Sequence, residues 1–451
     1  MRAAAYSSRI ARSSSASSQR VDARPAPLRW LVWGVPAFVF FFAFLHRVAP
    51  GAVVKEIMQA FNASAEIVGL LSAMYFYAYA GFMIPAGLLI DRFGVRRVFT
   101  AGSVVMGLGS LLMGLAASRG GLMTGRFLVG VGATVTFIGC LKIAADWFPS
   151  SHFGTMSAVT ATVGILGALG GTAPLAALVA LAGWRGAFMI IAVVTLTGAA
   201  ACYAVVRDRP PGAPVISAPA QGLGAVLHGM MEVLVNRHTW PPFFVFFFFY
   251  AAWGNLMLWS IPFLHDIYGL TTTRAGAYAS AVSFALLFSA PLTGYLSDRV
   301  LRRRKLPYTV LSACLFLFWT ALALTAGALP LWGVAAVLFG MGAVGGAFVL
   351  TWPIAREVNP PSLAGTAVAV SNMGGFVGAA LTQKYVGRML DAGWTGVMAE
   401  GARVYPAAAY AGAFKVCALF VLIATGLTLL LRETRGRNIY HELYPERRSA
   451  G

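Results

Sequence analysis

Acidic side chains are scarce in this chain. Its 451 residues include 15 Asp and Glu against 34 Lys and Arg, and charged residues of both signs make up only 11%. Soluble domains carry charge at roughly a quarter of their positions, so this composition excludes one. Cysteine is scarce too. Cys140, Cys202, Cys314 and Cys417 stand one per apolar segment with no short spacing, which points away from a disulfide framework and from a zinc site. No Gly-x-x-x-x-Gly-Lys-Ser/Thr loop occurs, so nothing supports ATP hydrolysis. The expectation is a protein that is not an enzyme, with no cofactor, metal or catalytic residue.

Hydrophobic residues, at 59%, fill the space that charge leaves. A span needs about 20 mostly apolar residues, and about twelve such segments are predicted: 30–53, 66–90, 98–117, 121–147, 154–181, 185–206, 242–264, 275–297, 307–328, 331–355, 363–388 and 406–431. The net charge of +19 follows these segments rather than forming a folded basic domain. Arg2, Arg9, Arg12, Arg20, Arg24 and Arg29 precede the first, Arg92, Arg96 and Arg97 follow the second, Arg299 and Arg302–Lys305 follow the eighth, and Arg432, Arg435 and Arg437 follow the last. If the segments alternate in direction, all these lie on one side, which the positive-inside rule makes the cytoplasm, with both termini in it. Nucleic acid is therefore not an expected partner. The lipid bilayer is, in the setting of a multi-pass protein of a bacterial inner membrane, and a monomer is expected.

The chain repeats itself at half its length. Gly87-Leu-Leu-Ile-Asp91-Arg92-Phe-Gly94-Val-Arg96-Arg97 returns as Gly294-Tyr-Leu-Ser-Asp298-Arg299, 207 positions on from Asp91 to Asp298. Asp146-Trp-Phe-Pro149, with Gly154 beyond it, returns as Glu357-Val-Asn-Pro360 and Gly365, with the same spacing from acid to Pro and from acid to Gly. Between the copies lies the Pro-rich stretch Pro210-Pro211-Gly212-Ala-Pro214. The domain reading is a disordered cytoplasmic tail (1–27), a six-helix bundle (28–206), a linker (207–239), a second six-helix bundle (240–432) and a cytoplasmic tail (433–451). The fold class is all-α, about twelve transmembrane helices in two six-helix bundles.

These residues resemble the major facilitator superfamily of secondary transporters, whose signature loop is Gly-x-x-x-Asp-Arg-x-Gly-x-Arg-Arg; positions 87–97 fit it throughout. The resemblance covers the whole chain, including Arg126-x-x-x-Gly130-x-Gly132 and Gly183-Trp184-Arg185. It implies a major facilitator fold that moves solute by rocking of the halves.

The signature loops can act as a gate. Gly87 and Gly294 permit close helix approach, and Asp91 and Asp298 can accept from the exposed N–H groups of an opposing helix N-terminus. Arg92, Arg96 and Arg97 are expected to reach Asp146, and Arg299 with the cluster after it to reach Glu357. The glycines of the fifth and eleventh segments, Gly164–Gly171 and Gly374–Gly378, are expected to pack tightly where the halves meet.

Charge inside the bilayer is costly and so informative. Arg47 falls in the outer part of the first segment beside His46, Arg126 in the fourth, and Lys142 near the fourth's inner end, whereas no acid falls mid-span. A cavity with cations and no carboxylates favours an anion, and Arg offers a fork that suits a carboxylate. Tyr75 and Tyr79 share a helix face with each other. Asn255 and Asn372 are the polar candidates of the second half. Arg47 followed by these tyrosines is similar to the organic-anion symporters of the superfamily, in which a first-span Arg binds the substrate carboxylate. Those symporters carry an acid before that Arg and another on the fourth span. Here His46 and the acid-free Gly130–Ala133 stand there, so His46, Arg126 and Lys142 are the coupling candidates, with H+ or Na+ as the ion. The reading is transport of a small organic anion. The alternatives are a proton-linked exporter of drugs or metabolites and, from another class, a transporter-like solute sensor.

Overall fold

A computed structural model describes residues 26–149, 152–209 and 223–448. The expected N-terminal tail lies outside these residues except for 26 and 27, which open the first helix.

Among the described residues, the apolar runs form twelve helices long enough to cross a membrane: α1 Leu28–Ala52, α2 Ala65–Phe93, α3 Val95–Leu115, α4 Arg119–Trp147, α5 Phe153–Gly170, α6 Ala173–Val205, α7 Arg237–Tyr268, α8 Thr272–Val300, α9 Lys305–Leu324, α10 Leu331–Glu357, α11 Pro361–Ala392 and α12 Ala407–Thr428. Local chemistry sets several of their ends. Ser118 caps α4 by accepting from the Gly121 N–H at 3.2 Å. The left-handed Gly269 (φ 63°) closes α7.

The fifth and sixth crossings divide at Gly183, not where α5 gives way to α6. Gly164, Gly167 and Gly171 lie against Phe40, Phe41 and Leu45, so this stretch runs parallel to α1. Arg185 donates to the Ala116 carbonyl at 3.0 Å, while Arg96 donates to that of Tyr203, so residues 185–203 run antiparallel to α3. The chain reverses at Gly183, whose φ of 69° and ψ of 162° interrupt the helix; side-chain-bearing residues strain there.

Helices α1–α6 and α7–α12 form the two halves, joined mainly by α2 against α11 and by α5 and α6 against α8. The expected packing of glycines between the halves is corrected: Gly164 and Gly167 seat α5 on α1, and Gly374, Gly375 and Gly378 seat α11 on Phe243, Phe246 and Phe247 of α7. Each glycine set closes its own half, because its flat face meets the bulky phenylalanines of a helix in the same bundle.

The linker contains the helix Leu223–Val235, whose Val233 packs on Ala367 and Val370 of α11. Beyond α12 the chain folds back. Glu433 accepts from the backbone N–H of Arg304 at 2.8 Å and of Lys305 at 3.2 Å, capping α9, as Asp208 beyond α6 accepts from the Arg96 N–H at 2.8 Å at the start of α3. The two ends of the bundle differ: a basic end carries both signature loops, and the opposite end carries the turns between α1 and α2 and between α11 and α12.

Candidate functional site

Between the halves lies a cavity of about 180 Å³. Its polar lining includes Arg47 and Tyr79 of the first half and Tyr250, Trp352, Asn372 and Gln383 of the second. Among the described residues, Arg47 is the one charged side chain that lines it, and no Asp or Glu does. Arg47 sits in the last helical turn of α1, before Pro50 tightens the chain into a 3₁₀ turn, Ala49–Ala52. Its guanidinium carbon lies 4.0 Å from the ring centre of Phe44, 5.1 Å from Phe376, 5.2 Å from Tyr79 and 5.7 Å from Tyr75. Its Nε is buried without a partner.

The other expected site residues fall in two layers. Tyr79 and Asn372 line the cavity. Asn372 accepts from Trp352 Nε1 at 3.1 Å. Tyr75 stacks behind Tyr79 with ring centres 5.8 Å apart, and its hydroxyl donates to the Ala43 carbonyl at 3.3 Å. His46 is fully buried away from the cavity, stacked on Phe188 at 6.1 Å, and neither ring nitrogen has a partner. Asn255 is turned into the α7–α11 contact, donating to the Ala251 carbonyl at 2.8 Å and to Thr382 at 3.2 Å. Arg126 lies 4.9 Å from the Tyr75 ring centre on the side away from the cavity and donates to the carbonyls of His46 and Arg47. Those carbonyls are unpaired within a helix end, and a cation suits them. Arg126 thereby braces the turn that carries Arg47.

At the basic end the network forms unevenly. In the second half Arg304 joins Asp298 to Glu357, reaching Glu357 at 3.0 Å. Burial disfavours the Arg304 charge, but the two carboxylates outweigh it and hold its pKa above the usual arginine value. Arg304, not the exposed Arg299, is therefore the bridging cation. The backbone turns at Arg302 (φ 50°) and brings Arg304 back over the acids. In the first half Lys142 meets Asp91 at 3.2 Å, with side chains 45% and 61% exposed, a weak pair. Arg92 lies near the Phe93 ring, Arg96 is engaged with Asp208 and Tyr203, and Asp146 is exposed, so the expected pairing of these arginines with Asp146 is not formed. Nor is the close approach expected at Gly87 and Gly294, where an added Cβ would meet nothing within 4 Å.

The halves are tied at the opposite end. Lys55, on the short helix Val54–Phe61, bridges to Asp266 of α7 at 2.6 Å. Burial lowers the Lys55 pKa against the pull of that carboxylate. Asp391, near the end of α11, accepts from the first N–H groups of α2, Ala65 at 3.1 Å and Glu66 at 2.8 Å. Arg403 at 2.9 Å and Tyr405 at 2.7 Å hold that carboxylate in place. Lys384–Glu66 at 3.5 Å and Thr172–Ser280 at 2.7 Å add further ties.

The model of the Major Facilitator Superfamily matches residues 37–383, most of the chain. The chain belongs to the major facilitator superfamily. Among relatives of this major facilitator protein, "Probable sulfoacetate transporter SauU" of Cupriavidus necator is 23% identical over 285 residues, covering 61% of this chain and 66% of the relative. "Probable galactarate/D-glucarate transporter GarP" of Escherichia coli K12 is 24% identical over 378 residues, covering 74% of this chain and 82% of the relative. A crystal structure of a bacterial homolog of the human lysosomal transporter Spinster, inward-facing and unoccupied, shares the fold with a TM-score of 0.74 at 18% identity, covering 90% of this chain and 97% of that one.

Reading the major facilitator pattern from sequence missed the ties at the opposite end and part of the cavity. Lys55, Asp266 and Asp391 sit near helix ends and Arg403 and Tyr405 in the turn before α12, where charge is not costly and so does not stand out in the sequence. For the cavity a signal existed. Asn372, Phe376 and Gln383 are spaced at whole helical turns, so one candidate on that face implied the others. Tyr250 had none, standing at the end of the phenylalanine-rich run 243–250.

Proposed function

We propose that this major facilitator protein is a secondary transporter of a small organic anion. The observation that carries the reading is Arg47, the single guanidinium among the described residues that faces the cavity, with no carboxylate of those residues lining it. An organic cation or metal ion desolvated there would find no counter-charge, whereas a carboxylate finds a fork of donors with an unpartnered Nε. The relatives named for sulfoacetate and for galactarate and D-glucarate agree with an anionic cargo.

Access alternates by rocking of the halves around Arg47. The basic end is cytoplasmic by the positive-inside rule. In the form described here, Lys55–Asp266 and the Asp391 cap hold the outer side shut. In the opposite form the signature loops hold the cytoplasmic side, as Gly87 with Asp91 and Gly294 with Asp298 then come against the other half, and Arg304 and Glu357, already bridged within the second half here, back Asp298.

A thermal-shift screen of purified protein tests the cargo's charge, since a ligand of the native form raises apparent stability. Carboxylates should raise the melting temperature and amines built on the same skeletons should not. Stabilisation by the amines alone would remove the anion reading.

A further inference from the structure

The cavity that holds Arg47 is otherwise almost wholly apolar. Phe76, Phe137, Ile165, Phe246, Leu286 and Phe348 form much of its wall. Several rings meet one another there: Tyr79 and Phe376 have centres 4.5 Å apart, and Phe246 and Phe348 6.1 Å. Polar groups are few: the hydroxyls of Ser72, Ser283, Tyr79 and Tyr250, and amides that are partly engaged. Asn372 accepts from Trp352 and donates to the Met83 sulfur at 3.5 Å, and Gln383 donates to the Gly254 carbonyl at 3.1 Å. Among the described residues no second cation faces the space, because Arg126 is committed to backbone carbonyls behind Tyr75.

We propose that the anion is a monocarboxylate with an aromatic or branched apolar body, its carboxylate at Arg47 and its body against the aromatic wall. The proposal rests on the organic-anion reading above and narrows it. Size agrees with it. An apolar cavity of about 150 Å³ admits a benzene ring, and this one, at about 180 Å³, has room for a ring and a short acidic arm. Chemistry agrees as well. A sugar diacid would bring several hydroxyls and a second carboxylate into a wall that offers them few partners. Each buried hydroxyl left unpaired weakens binding by about tenfold, and a second carboxylate would be desolvated with no cation to meet it. The relatives named for galactarate and D-glucarate would therefore differ from this chain in cargo, though not in fold.

The test is calorimetric titration of the full chain in lipid nanodiscs with 3-phenylpropionate, 4-methylpentanoate, D-glucarate and the neutral 3-phenylpropionamide. Either apolar acid should bind at least about tenfold more tightly than D-glucarate, through the unpaired hydroxyls, and more tightly than the amide, through the Arg47 charge. Binding of D-glucarate as tight as that of the apolar acids overturns the apolar-body proposal and leaves the anion reading standing. Equal binding of amide and acid overturns the anion reading itself. Failure of both apolar acids to bind protein that remains monodisperse also overturns the proposal.

Discussion

Arg47 shows how one side chain can be both costly and retained. Taking a guanidinium out of water costs several kcal/mol, and a ring face returns about 0.5–2 kcal/mol when desolvated. Four rings around Arg47 offset part of that cost, and the carboxylate proposed as cargo would complete the offset. Lysine keeps the charge but not the fork, so Arg47→Lys should weaken binding of the best carboxylate by about ten- to a hundredfold, the worth of a charge-assisted pair. Calorimetry on the folded variant checks this, and affinity equal to wild type would count against the assignment. Arg47 was legible because a cation inside an apolar run stands out. Tyr250 was not, since aromatic residues are 13% of the chain and any one of them carries little information. Asn255 and Asn372 mark a second limit. Sequence shows how deep a residue lies along a helix, but its rotation is set by packing, which turned Asn255 toward Thr382 and left Asn372 at the cavity.

Among the helices, α2 and α11 form the main antiparallel contact between the halves, with Ala65 beside Gly387, Gly69 beside Gln383 and Met83 beside Asn372. Each carries an aspartate near its C-terminal end, Asp91 and Asp391. Asp391 now caps the N-terminus of α2, where the helix dipole and free N–H groups favour a negative charge. Asp391→Asn keeps the shape and removes the charge. It should move the equilibrium by about tenfold toward the form open at that end, on the order of 1.4 kcal/mol. Labelling of a Ser72→Cys reporter, in the cavity wall, by an impermeant maleimide from the outer side should rise accordingly. Unchanged labelling would mean that the cap does not hold the halves together. The helices themselves were readable from hydropathy, and the reversal at Gly183 from Gly-Trp-Arg. The cluster's reach to Glu357 was readable as well, but not which of its members makes it, because that depends on the left-handed turn at Arg302, a backbone state that an arginine does not advertise.

At the scale of the whole molecule, the repeat visible in two signature loops became two bundles around a shared cavity. The repeat is faithful in the end caps, Asp208 on α3 and Glu433 on α9. It is broken where Glu357 is buried under Arg304 while Asp146 stays exposed. That asymmetry was invisible in matched spacing, because it arises from the chain after α12, whose Thr434 also donates to Glu357. The central claim is that one anion site at Arg47 faces each side of the membrane in turn. Solute counterflow tests this most directly: proteoliposomes preloaded with unlabelled 3-phenylpropionate or D-glucarate, diluted into a trace of the same labelled acid. The account predicts transient accumulation of label above equilibrium in wild-type vesicles for at least one of the two, and its loss in Arg47→Gln vesicles containing equally folded protein. Accumulation that persists in Arg47→Gln, or wild-type uptake that preloading leaves unchanged for both acids, would contradict it.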